Sequence, residues 1–399
     1  MRIVVTTIKR HKLLLTNNMK YNFDLTTDRR NSNSIKWDVK DNELPMWVAD
    51  MDFKVFPKIK EAIIEAANKE GYGYSYPSEK LFKAYQLWWK KRHHIDVDTK
   101  AMVYVSGVVS ALDSLIRLLT NENDSVLLLS PTYNGFYNVV NNNKRTLVTS
   151  DLIHQDDDFI IDYQDVENKI VNHEVKAIIF CNPHNPVGKP WSKKEIKEIY
   201  DICKKHHVYF ISDEIHADLV EPDAAFNSAL SVTDDVIICT SPSKIFNIAG
   251  LQSAMVFIND QEIREKAQAA FYHDDIGEPN YFVEPATIAA YTYGDDYVDE
   301  INAYIANNKK YVNDYLKDNI PHLKVVSGKA TYLLWVDISY YKIPSDVFAD
   351  ELRKETGLYI SNGLSYGKNG LNYIRINVAT SLNNVKDAMK RLEQYVKGK

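Results

Sequence analysis

Residues 176–216 read KAIIFCNPHNPVGKPWSKKEIKEIYDICKKHHVYFISDEIH. Two continuous apolar runs, Lys176–Asn182 and Val208–Glu214, bracket a polar stretch that contains Ser192-Lys193-Lys194-Glu195. Serine followed three residues later by glutamate is a capping box, and Ile196, Ile199, Tyr200 and Cys203 then recur at helical spacing. Continuous apolar runs, unlike alternating ones, suit strands covered on both faces, as in a parallel sheet. The same rhythm extends outward. Ser125–Ser130, Val236–Thr240 and Ser253–Ile258 read as further buried strands. Pro57 opens a helix with Ile59, Ile63, Ile64 and Ala67 on one face and Gly71 as its stop. Strand and helix in alternation predict an α/β fold, a three-layer sandwich around a mostly parallel sheet.

Beyond about residue 290 the rhythm changes. A long helix near 295–318 precedes a strand at Tyr332–Asp337, a helix near 345–356, a strand at Tyr373–Ala379 and a last helix at 382–397. That pattern predicts a smaller α+β domain over 291–399, beside a large domain over 56–290. Residues 19–55 lack a core of their own and are expected to pack on the small domain. Residues 1–18 carry Arg2, Lys9, Arg10 and Lys12, no acid, and only a short apolar run. They make a poor signal peptide and read as a disordered tail or a start-site artefact before Met19.

The 399-residue chain is 45% hydrophobic and 26% charged, the balance of a soluble globular protein. A net charge of −6 with interspersed signs argues against nucleic-acid or membrane partners. No apolar run reaches the roughly 20 residues that a bilayer span requires. Cys181, Cys203 and Cys239 form no CxxC, so neither a disulfide framework nor a zinc site is expected, and they fit a reducing cytoplasm. The pairs His93-His94 and His206-His207 lack metal-ligand spacing and read as solvated helix ends.

In open α/β sheets, ligands bind beyond the carboxyl ends of the strands. Five segments meet that condition: SGVVSAL (106–112), SPTYNGF (130–136), CNPHNPVG (181–188), SDEIH (212–216) and SPSK (241–244). In order they hold Gly107, Tyr133, Asn185, Asp213 and Lys244. Each alone is ordinary: a turn, a packing tyrosine, a cap or a surface charge. Together they are a phosphate cradle, an aromatic plate, a buried acid and an amine nucleophile, which suits pyridoxal phosphate. Free N–H groups at Gly107-Val108, where an apolar helix begins, would hold a phosphate. Tyr133 would stack on the pyridine ring. Asp213 would keep the ring nitrogen protonated, and a poorly hydrated Lys244 would form the Schiff base.

The chain resembles the fold-type I pyridoxal-phosphate enzymes of the class I/II aminotransferase superfamily over roughly residues 20–397, and within it the MalY/PatB group of carbon–sulfur β-lyases. The stretches that carry the likeness are DRRNSNSIKWD (28–38), LPMWVADMDF (44–53), CNPHNPVG, SDEIHADL and SKIFNIAGL. The resemblance implies that Lys244 is the Schiff-base lysine, Ser241 a phosphate ligand, Asp213 the partner of the ring nitrogen and Asn185 a partner of the ring hydroxyl. His216 stands where aspartate aminotransferases place a tyrosine on that hydroxyl. Arg375 in NYIRINVA would fork onto the substrate carboxylate, with the Ala49 backbone beside it. Tyr74 in GYGYSY would reach the phosphate of a neighbouring subunit, making a homodimer with shared sites. The tyrosines around 72–89 suit an interface or a core equally. Gln252 departs from the aminotransferase arginine at that position, so the cradle would lean on backbone donors, Ser241 and Tyr74.

Lys244 serves both branches of the implied chemistry, β-elimination and transamination. A dicarboxylate aminotransferase needs a second cation for the distal carboxylate, and no arginine stands out for it: Arg29 and Arg30 lie in the lyase-like motif. The expected reaction is therefore β-elimination from cystathionine, cystine or cysteine S-conjugates, with transamination as the alternative. A regulatory role through a protein partner, which some members of the group have, finds no supporting feature.

Overall fold

The computed structural model describes residues 19–399 apart from Asp157 and Ser327, so the reading of 1–18 lies outside the described residues. Seven strands form the main sheet: β1 (Met102–Val105), β2 (Ser125–Ser130), β3 (Thr146–Asp151), β4 (Ala177–Cys181), β5 (Tyr209–Asp213), β6 (Ile237–Thr240) and β7 (Ala254–Ile258). Their order is β1-β7-β6-β5-β4-β2-β3. Pairings among β3, β2, β4, β5 and β6 are parallel. Strand β7 is antiparallel to both β1 and β6. Its apolar run looked like that of a parallel strand because burial on both faces, not direction, sets that pattern. Edge strand β3 alternates in exposure and carried no such signal.

Successive residues of a strand enter opposite cores. Val126 and Leu128 join one cluster with residues of α3 (Val108–Leu119), α4 (Asn134–Asn142) and α7 (Gln261–His273). Leu127, Ile178 and Phe180 join another, with α2 (Glu79–His93), α5 (Tyr163–Asn172), α6 (Lys193–Lys205) and α8 (Val283–Tyr293). The chain is thus a three-layer α/β sandwich. The Ser192 capping box forms as read and contributes on the order of 1 kcal/mol. Helix α1 (Pro57–Ala67) starts at Pro57, but Asn68 caps its end, so Gly71 lies beyond the helix rather than stopping it.

Helix α9 (Asp295–Asn319) leads to a four-stranded antiparallel sheet of β8 (Lys324–Val325), β9 (Leu333–Asp337), β10 (Ser361–Asn362) and β11 (Tyr373–Asn377), ordered β8-β9-β11-β10. Helix α10 (Ser345–Thr356) packs beside it, and α11 (Leu382–Val396) packs against α9 and α10. Near the N-terminus, Leu44–Pro45 pairs in parallel with Leu358–Tyr359 and begins a strap of chain over 44–53. One histidine reading fails. The His93 side chain is buried, its Nε2 3.0 Å from Asp218, because the last turn of α2 directs it inward, whereas His94 is exposed.

Candidate active site

The carboxyl ends of β1, β2, β4, β5 and β6 converge on a cavity of about 250 Å³. Ala49, Gly107, Val108, Tyr133, Asn185, Asp213, His216, Ser241 and Lys244 all line it. An adjoining cleft of about 430 Å³ shares Ala49, Tyr133 and Lys244 and adds Arg375. Tyr74 is not brought to either; it is fully exposed on the loop between α1 and α2. Gln252 lines the first cavity in a left-handed conformation, φ 58°. Sequence reasoning passed over Ser243 and Cys181, which also line it; neither residue type is distinctive at a strand end.

Lys244 Nζ donates to the Ala49 carbonyl at 3.0 Å. Burial, then the Arg375 charge, pushes its amine below the ordinary lysine value, with Asp50 and Asp213 opposing. Asp213 ends β5 and accepts the Ile215 N–H at 3.1 Å; burial raises its carboxyl to about 7. Arg375, on β11, donates from Nη1 to Asn185 Oδ1 at 3.1 Å and from Nη2 to the Trp47 carbonyl at 2.8 Å. It also lies over the Tyr366 ring at 4.6 Å. The Tyr133 ring covers Gly135 so closely that a Cβ there would come within 2.4 Å of it, which explains that glycine. The Ser241 hydroxyl donates to the Ser253 carbonyl at 2.5 Å and lies 2.8 Å from the Ser243 hydroxyl, from which it can accept.

Pyridoxal phosphate fits this residue set. His216 is buried with Nδ1 unpartnered, and burial holds its imidazole neutral. Arg375 Nε is also unpartnered. Asp213 is a buried acid whose burial disfavours its charge, which a protonated ring nitrogen would restore. A Cβ on Gly107 would meet nothing in the chain closer than Ser110 Oγ at 3.8 Å, so the bare backbone there faces open cavity. Helix α3 has no side-chain cap, which leaves its first N–H groups for an anion.

The strap bearing Ala49 is held from three sides. Asn377 Nδ2 donates to the carbonyls of Val48 and Asp50 at 2.6 and 2.7 Å. Asn247, three residues after the lysine, accepts from Met51 N and donates to Met51 O at 3.1 and 3.0 Å. Behind the strap, Lys36 and Asp52 form a buried ion pair of 2.9 Å, joined by Trp37 Nε1 at 2.8 Å. Arg29 pairs with Asp50 at 2.9 Å. The DRRNSNSIKWD motif is therefore a buttress, not a part of the pocket wall.

Fold and site together define a cofactor-dependent enzyme built on strand ends. The chain belongs to the family Aminotransferase class I and II, which matches residues 43–392. It is 34% identical to cystathionine beta-lyase PatB of Bacillus subtilis (strain 168), over 93% of this chain and 99% of that protein. It is 29% identical to protein MalY of Escherichia coli (strain K12), over 90% and 94% of the two chains. Among solved structures, cystalysin from Treponema denticola, which contains a pyridoxal 5'-phosphate cofactor, superposes with TM-score 0.91 at 30% identity, covering 95% and 100% of the chains. The PLP-bound C-S lyase from Staphylococcus hominis gives 0.89 at 31%, covering 95% and 99%.

Proposed function

We propose that the protein is a pyridoxal-phosphate-dependent carbon–sulfur β-lyase. In the net reaction a cysteine thioether and water give a thiol, pyruvate and ammonium. The observation that carries this reading is the convergence of Lys244, Asp213 and Arg375 on one site in a chain that aligns end to end with β-lyases. Bound pyridoxal phosphate supplies an electron sink for the pair left at Cα when its proton departs.

The chain's own groups do the rest. Gly107, Val108 and Ser241 would hold the phosphate, Tyr133 would cover the ring, and Asp213 would carry the charge that keeps the ring nitrogen protonated. Asn185 and His216 meet the ring hydroxyl; a neutral imidazole there can donate or accept. Arg375 forks the substrate carboxylate and, through Trp47 O, is tied to the strap. Lys244 Nζ, held at the Ala49 carbonyl, would be the amine that carries the cofactor and the base for the Cα proton. The pair freed at Cα would become the Cα–Cβ π bond as the C–S bond breaks with its electrons on sulfur, so that the thiolate can leave.

Finer points belong to the same proposal. The protein acts as a homodimer in the cytoplasm, and Tyr74 serves the phosphate of the second copy. Supporting this, Tyr72, Tyr74 and Tyr76 are all exposed, while Lys244 is the one cation among the described residues lining the first cavity. Among the described residues no helix is long and apolar enough to cross a membrane. The chain divides at about residue 290 into the large and small domains read above.

The test is a cystathionine assay without added keto acid. Thiol and pyruvate release is the expected result. Turnover that requires a keto acid would replace the lyase by an aminotransferase. A Lys244→Ala subunit mixed with a Tyr74→Phe subunit should regain activity above either alone; no gain would sink the shared site.

A further inference from the structure

The cleft that holds Arg375 and Lys244 continues along a wall that the reaction described above does not use. There Trp47 and Tyr359 stack at 4.7 Å and 19°, and the Arg353 guanidinium lies 3.6 Å over the Tyr359 ring. Arg353 looks like the distal cation of a dicarboxylate site, but it is already engaged. Its Nε and Nη2 donate to the two carboxylate oxygens of Glu43 at 2.8 and 3.0 Å. Glu43 is buried, and this bidentate pairing holds its carboxyl below the usual range, so the pair is ionised and neutral in sum. One helical turn before Arg353, Asp350 lines the same cleft, is exposed, and forms no ion pair among the described residues. Glu43, Asp350 and Arg353 together carry a net charge of −1 on this wall, with Asp350 also acting on the Arg353 charge and with Arg375 and Lys244 at the other end of the cleft.

We propose that Asp350 makes this wall a charge filter on the leaving thiol, favouring thioethers whose distal end carries an ammonium and disfavouring those that end in a lone carboxylate. The Trp47–Tyr359 stack supplies an apolar surface for the intervening carbons, and Glu43 keeps Arg353 from forking a distal carboxylate. Substrates such as cystathionine and cystine satisfy the filter because an ammonium accompanies their distal carboxylate. This inference rests on the β-elimination reading.

The experiment compares kcat/KM for S-(2-aminoethyl)-L-cysteine, S-propyl-L-cysteine and S-carboxymethyl-L-cysteine in the holoenzyme, Asp350→Asn and Asp350→Lys. Taking the aminoethyl-to-carboxymethyl ratio between variants cancels the intrinsic leaving ability of each thiol. The ratio should fall roughly threefold in Asp350→Asn and roughly tenfold in Asp350→Lys, through KM rather than kcat, as expected of an exposed charge. The parent's ratio should also shrink as salt rises. An unchanged ratio in both variants, with the variants' cofactor absorbance and thermal midpoint intact, overturns the filter. Failure of the parent to release thiol from cystathionine without a keto acid would strike the β-elimination reading instead, so the two failures are distinguishable.

Discussion

Asp213 ends β5 and Lys244 follows the adjacent parallel strand β6, whose ladder sets their spacing, while Ala49 lies on an irregular strap with no ladder of its own there. The strap reaches the same point through backbone hydrogen bonds to Tyr359 and Ala379 and through side chains from other parts of the chain: Asn377 and Arg375 from β11, Asn247 from the lysine loop, and Lys36 behind. In the proposed reaction the two regions have different tasks: the strand ends would hold the cofactor and move the proton, and the strap and the small sheet would receive the substrate.

Changes in the two regions should fail differently. The largest effect is expected from Lys244→Ala, which removes the amine and base. Activity should drop by at least about 10³-fold with the fold retained. Residual turnover near that of the parent, measured as pyruvate release, would break the assignment of the strand-end region.

Asp52→Ala attacks the strap instead. It leaves Lys36 charged and buried without its partner, which should destabilise the protein by about 3–5 kcal/mol in chemical denaturation. A loss below about 1 kcal/mol would show that the strap does not depend on this pair.

Arg375→Lys joins the two regions. It keeps the charge but loses the fork to Asn185, Trp47 and the substrate carboxylate, so kcat/KM should fall by about 10–100-fold. A drop confined to kcat would point away from carboxylate binding.

The smallest expected effect is a pH dependence at the strand ends. Asp213 sits at about 7 in the cofactor-free chain because burial disfavours its charge. Protonated, it cannot pair with a ring N–H⁺. Retention of pyridoxal phosphate by Lys244→Ala should therefore weaken as pH falls through about 7, and Asp213→Asn in that background should flatten the dependence. Equilibrium absorbance titrations decide it. The same slope in both proteins would remove Asp213 from that role.

Much of the strand-end region was legible because its signals are local. Helix α3 starts beside Gly107 and β5 ends at Asp213, as read from apolar runs and cap chemistry alone. Less of the strap and the distal wall could be read. Arg353 lies on an ordinary amphipathic helix, and its partner Glu43 is 310 residues away, so neither residue stood out. His93 was misread for the same reason: its partner Asp218 comes from a different part of the chain.

The amino-acid order by itself determined the alternation of strands and helices and the placement of Gly107, Tyr133, Asn185, Asp213 and Lys244 at strand ends. Those features depend on periodicity and capping, which act over a few residues. Tertiary structure alone decided the reversed direction of β7, the closure of the strap on Lys244 and the neutralisation of Arg353 by Glu43. Each is a contact between residues that no local pattern relates, and the charge facing a substrate is the sum of such contacts.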